Sequence, residues 1–269
     1  MRDSGSNSTR SLALPPIVAP ILVLLGVAGM SAASALAPRF GLRPGLVAAE
    51  IALAAPAVLL LAVTGRPLSA ALALEPPSRR QTLLALAAGA TLWLTSLGLF
   101  ELQYSVWAPP PGYLEAFRRL HEALRPRGPL DAVLSVAAIA IMPALCEEIL
   151  FRGVVLRALL RPLGAVLASV ASAALFGLIH LDFTTGALSL YRVPFAFAIG
   201  LALAAVRLRA DALLPAVVAH ATLNTITFLA APLADDPSQG LPDPRPWFGV
   251  SLFAIGACAS AFVTRRLER

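Results

Sequence analysis

Lysine is absent from this sequence, and charge of either sign is scarce. Charged residues make up 13% of the chain, against about 25% in an average soluble domain. Hydrophobic residues reach 58% of the 269 positions. A soluble chain of this length would lack the polar surface to cover itself, so the sequence belongs to an integral membrane protein. The missing lysine is a mark of genome composition, since arginine supplies every basic group. Cysteine is also rare. Cys146 and Cys258 stand in apolar surroundings with no metal-type or disulfide-type spacing partner, and both read as small buried hydrophobes. No HExxH, no nucleophile elbow and no glycine-rich phosphate loop occurs. No internal repeat is visible, which argues against a transporter built from two halves. The net charge of +6 is spread as single and paired arginines between apolar stretches. That is a topology pattern and excludes a nucleic-acid-binding patch.

What is present is a succession of long apolar runs. About 20 mainly apolar residues cross a bilayer as a helix. Eight candidates fall near 15–37, 44–64, 82–101, 130–153, 163–182, 187–206, 212–232 and 246–264, with proline, glycine and arginine in the gaps. The expected fold is all-α: a polytopic transmembrane bundle of about eight helices, residues 15–269 forming one domain behind a short cytoplasmic tail at 1–14. The first run ends in "SAASALAPR", which resembles a signal-peptidase site. Its apolar stretch exceeds a signal-peptide core, so an uncleaved first helix is expected. Arginines are more numerous in the tails and in the second, fourth and sixth loops than on the other side, which places both termini in the cytoplasm. In the third loop, "GYLEAFRRLHEAL" sets Tyr113, Leu114, Phe117, Leu120 and Leu124 on one stripe. This predicts an amphipathic interfacial helix, a candidate lid, with His121 as a surface residue.

Ionisable groups inside spans are costly and mark functional sites. Hydropathy does not account for Glu147, Glu148 and Arg152 in the fourth span, His180 at the end of the fifth, or His220 with Asn224 in the seventh. Glu50 also falls in a span, near enough to an end to reach the interface. Glu148 and Arg152 stand at i and i+4, the favourable order for an ion pair. Glu147 points elsewhere without a local partner and is left free as a general base. His220 and Asn224 share one helical face, as do Phe176 and His180. Phe176 could wall the site and His180 could orient a water. Cys146 adjoins Glu147 but faces another side. Glu147, His180 and His220 could alternatively ligate a divalent metal, most plausibly zinc.

Three motifs occur in order: E-E-x-x-x-R at 147–152, F-x-x-x-H at 176–180 and H-x-x-x-N at 220–224. In this the chain resembles the CPBP (CAAX protease and bacteriocin-processing, or Abi) intramembrane endopeptidases, with the matching core at about 130–232. No motif position departs from the pattern. The arginine-only, alanine-rich composition points to a bacterial plasma membrane, and the resemblance implies a protease that cleaves a membrane-associated protein or peptide. By it Glu147 activates a water with help from His180, Glu148 and Arg152 support the site, and His220 and Asn224 stabilise the oxyanion. The family has been described both as metal-dependent and as a glutamate type without catalytic metal. The His220–Asn224 pair suits hydrogen-bond donors better than ligands, so no cofactor is expected. The alternatives are a non-catalytic scaffold or bacteriocin self-immunity protein on the same fold, and a proton-relay transporter.

Overall fold

The computed structural model describes residues 14–181, 189–230 and 243–268. Apart from Leu14, the expected tail at 1–14 lies outside them. The described elements are helices: α1 Val18–Phe40, α2 Leu42–Val63, the short α3 Leu68–Leu72, α4 Arg79–Val106, α5 Tyr113–Ala123, α6 Pro129–Val136, α7 Met142–Glu148, α8 Leu156–Leu178, α9 Val193–Ala210, α10 Leu214–Ala230 and α11 Pro246–Arg265. Two π-helical stretches, Ala137–Ile141 and Ile149–Val155, flank α7. Helices are the expected solution here, because a helix satisfies its backbone groups within the segment and lipid offers no hydrogen bonds.

Among the described residues, six helical runs are long and apolar enough to cross a membrane. The difference from eight has two causes. The expected fourth and fifth spans form one helical run of 50 residues, Pro129–Leu178. Straight, it would measure about 75 Å, far beyond a hydrocarbon core of about 30 Å. It bends at Gly164, whose φ of 72° and ψ of 172° interrupt the helix just after Pro162. The seventh span is the shorter apolar helix Leu214–Ala230.

The long run forms the centre of the molecule. From Leu150 to Leu156 every side chain is buried, polar or not. A helix covered on all sides belongs at the middle of a bundle. Around it, α2 packs against α7, α8 against α9, and α10 against both α7 and α4. On the periphery α1 lies along α2 and α11 along α4. The α4–α11 seam is tight: a Cβ on Gly98 would sit 2.2 Å from the Phe253 backbone nitrogen. Small residues allow this close backbone approach in membranes. Ser78 starts α4 with a reciprocal cap, its Oγ accepting from the Gln81 N–H while the Gln81 side chain accepts from the Ser78 N–H.

The amphipathic segment forms α5 as expected. Its charged face is braced by Glu115, which accepts from Arg118 and Arg119. The hydrogen bonds from Arg118 and then Arg119 hold the Glu115 carboxyl down at about 2. His121 is not a simple surface residue. It is half-buried, with its ring 4.0 Å from that of Phe117 and 5.7 Å from that of Phe228. The fold brings the end of α10 up to the helix's apolar side. Tyr113 at the other end of α5 meets Tyr191 at 5.1 Å. The cysteines divide. Cys146 is buried, whereas Cys258 is exposed. The expectation for Cys258 is corrected because the outer face of a spanning helix meets lipid, where an apolar residue needs no cover from protein.

Candidate active site

The "CEE" end of α7 and the π-helical stretch after it carry the first motif. A π turn holds more residues than an α turn, and such insertions concentrate at functional sites. Glu148 and Arg152 nonetheless pair as their spacing predicts, with Arg152 Nη1 donating to Glu148 Oε1 at 2.8 Å. Both side chains are fully buried. Arg152 Nη2 donates to the Gly200 carbonyl on α9 at 2.9 Å, so the arginine ties the central run to a second helix.

His220 comes from α10 to the same carboxylate. Its Nδ1 stands 2.9 Å from Glu148 Oε1. A carboxylate ion-paired to arginine only accepts, so Nδ1 carries the proton and donates. The other ring nitrogen, Nε2, faces Glu147 Oε2 at 3.7 Å. Glu148 therefore holds Arg152 and His220 at once, while Glu147 lies across from His220 without a direct bond to it. The ring orientation is fixed from behind by an acid, a common way of setting a working histidine.

His180 is set in the same manner by another acceptor. Its Nδ1 donates to the Phe176 carbonyl at 2.8 Å, which leaves Nε2 bare in the neutral ring. Phe176 joins the parts. Its ring lies 4.8 Å from that of His180 and 6.1 Å from that of His220, packs edge-on against Phe151 at 5.2 Å, and has the Arg152 guanidinium 4.6 Å from its centre. Asn224 lies one turn beyond His220, half-buried, and its side chain makes no hydrogen bond among the described residues.

The structure thus gathers Glu147, Glu148, Arg152, Phe176, His180 and His220 in one place, with Asn224 on the flank. Among the described residues no three His, Cys, Asp or Glu groups converge closely enough to hold a metal. The donor set does not fit a preformed zinc centre.

Two residues were given other roles by the sequence. Glu50 was expected to reach the interface. It instead shares the inward stripe of α2 with Leu53, Ala54, Ala57 and Leu61, and its Oε2 is buried without a hydrogen-bond partner. Its distance from the end of the span mattered less than the face it occupies. Arg192, counted as a loop arginine, stands exposed at the start of α9 within electrostatic reach of Glu147 and His180. The signal for Glu50 was in the sequence, as an acid inside a span. Nothing local distinguished Arg192.

A many-helix membrane bundle with a dry acid–arginine–histidine cluster at its centre defines the class of protein. Residues 129–226, the segment that supplies the cluster, match the family model described as Rce1-like, type II CAAX prenyl endopeptidase. Over those residues the match bears out the resemblance carried by the three motifs, and that segment is similar to the CAAX-protease family. The match leaves 1–128 and 227–269 outside it. No curated protein and no solved structure matches the chain.

Proposed function

We propose that the protein is an intramembrane endopeptidase that hydrolyses a peptide bond of a membrane-associated protein or peptide with a water activated by Glu147. The observation that carries this reading is the division of labour between adjacent acids: Glu148 is engaged by Arg152 and His220, while Glu147 Oε2 faces His220 Nε2 across 3.7 Å. Glu147 takes a proton from the attacking water as general base. His180, with Nδ1 committed to a carbonyl, offers Nε2 as the acceptor that orients that water. The tetrahedral oxyanion is met by the Asn224 amide and by His220. His220 in this role donates from Nε2 while its Nδ1 stays on Glu148. Burial strengthens each of these contacts, since donors aimed at developing charge gain from exclusion of water.

The setting we propose is a bacterial plasma membrane, with both termini cytoplasmic and the lipid bilayer and a peptide substrate as partners. In this reading helix α5, whose His121 meets Phe228 near the end of α10, acts as a lid. No cofactor takes part in this scheme. The test is cleavage of membrane-anchored reporter peptides by the purified full-length chain in detergent. Glu147→Gln is expected to lower the rate by at least about a hundredfold, the usual scale of general-base catalysis, and a chelator is expected to change nothing. Loss on chelation with recovery on adding zinc would overturn the glutamate scheme. Equal cleavage by wild type and Glu147→Gln would remove Glu147 as the base, and no cleavage by either would favour the scaffold or immunity alternative.

A further inference from the structure

We propose that the corner where the start of α4 meets the ends of α9 and α11 binds the phosphate headgroup of an anionic phospholipid, through Arg79, Arg80, Arg265 and Arg266. The site is separate from the acid–arginine–histidine cluster and independent of its chemistry. The residues after α11 fix the corner. Leu267 is fully buried and belongs to the core formed with Ala88 and Leu92 of α4, Leu203 and Val206 of α9 and Ala216 of α10. The chain turns into that core through two backbone bonds, the Arg266 N–H donating to the Val263 carbonyl and the Leu267 N–H to the Thr264 carbonyl. Glu268 then ties the other two helices together. Its carbonyl accepts from Arg80 Nη1 at 3.4 Å, and its carboxylate pairs with Arg209. Arg79, Arg80, Arg209, Arg265 and Arg266 are thereby brought to one corner, and all five are exposed.

The charge there is unbalanced. The acids near this end are Glu75, Asp211 and Glu268. Asp211 lies 3.8 Å from the buried Arg207, and Glu268 is taken by Arg209. Among the described residues Arg79, Arg265 and Arg266 have no carboxylate partner. At the opposite end, Arg118 and Arg119 are met by Glu115 and Glu122. The depth of the corner points to a lipid. The Arg266 guanidinium stands 4.3 Å from the centre of the Phe262 ring, one helical turn before it. Phe248, Ile255 and Phe262 recur every seven residues, share one face of α11, and are all exposed. An arginine therefore caps an apolar strip that faces the bilayer. Cations at span ends reach the headgroup level in this way. Clustered arginines at that level attract anionic headgroups, and a guanidinium matches phosphate with paired N–H donors. The acyl chains of the same lipid run down the strip below, which a free phosphate would leave uncovered.

The test equilibrates the purified full-length protein in detergent with equal amounts of phosphatidylglycerol and phosphatidylcholine and counts the lipid retained after gel filtration. The wild type is expected to retain phosphatidylglycerol preferentially. The variant Arg79→Gln/Arg265→Gln/Arg266→Gln is expected to lower that preference by about tenfold or more. Arg39→Gln/Arg118→Gln/Arg119→Gln removes as many arginines at the opposite end and is expected to keep it. Equal retention of the two lipids by the wild type, a preference that survives the first variant, or an equal loss in the second would overturn the proposal. Inorganic phosphate that displaces phosphatidylglycerol at millimolar concentration would reassign the corner to a free anion and overturn the lipid. Should the first variant fail to fold, the wild type decides by itself. Its preference is expected to collapse in about 1 M salt, where charges are screened beyond about 3 Å, and an unchanged preference there would overturn a site built on arginine charge.

Discussion

Arg152 is a fully buried cation with one carboxylate, one carbonyl and one aromatic face around it. Removing one member of a buried ion pair leaves the other charge stranded, which costs about 3–5 kcal/mol. Arg152→Met is therefore expected to lower the thermal transition of the detergent-solubilised protein sharply. The loss should exceed that from Glu147→Gln, because Glu147 has no ion-pair partner at bonding distance to strand. A differential scanning comparison of the two variants checks this. Glu148 has a second task that its spacing to Arg152 does not reveal. By accepting from His220 Nδ1 it decides which nitrogen of that ring faces Glu147. The motif E-E-x-x-x-R shows the ion pair, and the histidine contact exists only because α10 is packed against α7.

At the scale of elements, the 50-residue run depends on its bend. Gly164 occupies backbone angles open to essentially no residue but glycine, and a Cβ there would meet nothing within 4 Å. Gly164→Ala thus isolates backbone strain from crowding and is expected to cost about 1–3 kcal/mol, measured as a shift in thermal unfolding. Helix α5 gives a pH-dependent counterpart. The Glu115 carboxyl titrates at about 2 in the folded chain against an ordinary value of 4.5. Its contribution is complete above 4.5 and is lost as pH falls toward 2. The group is exposed, so salt screens most of the gain. Amide protection of α5 should fall across that window while protection of α4 does not, as hydrogen exchange would record. The segment's amphipathic period was legible because a stripe is a local property. The contacts of His121 with Phe228 and of Tyr113 with Tyr191 were not, since those partners lie far downstream in the sequence and arrive by packing.

On the scale of the molecule, the outward faces of α1, α2, α8 and α11 expose large apolar side chains such as Leu24, Leu59, Val166 and Ile255. In water such a surface would aggregate, so it is read as lipid-facing. The protein is expected to stay with the membrane fraction through alkaline washing and to leave it only with detergent; release by the wash would count against spanning helices.

The sequence by itself determined that the chain belongs in a membrane, that its fold class among the described residues is all-α, and which motif residues form the cluster. These follow from composition and from spacing along single helices, both of which act over a few residues. Tertiary structure alone decided that the fourth and fifth spans are one bent run, because the helix continues through Pro162 and yields only at Gly164. It also decided that Glu50 faces inward, that Glu148 accepts from both Arg152 and His220, and that Phe176 touches both histidines. Those facts depend on which face of one helix meets which face of another, and a face acquires its partner only when the bundle closes.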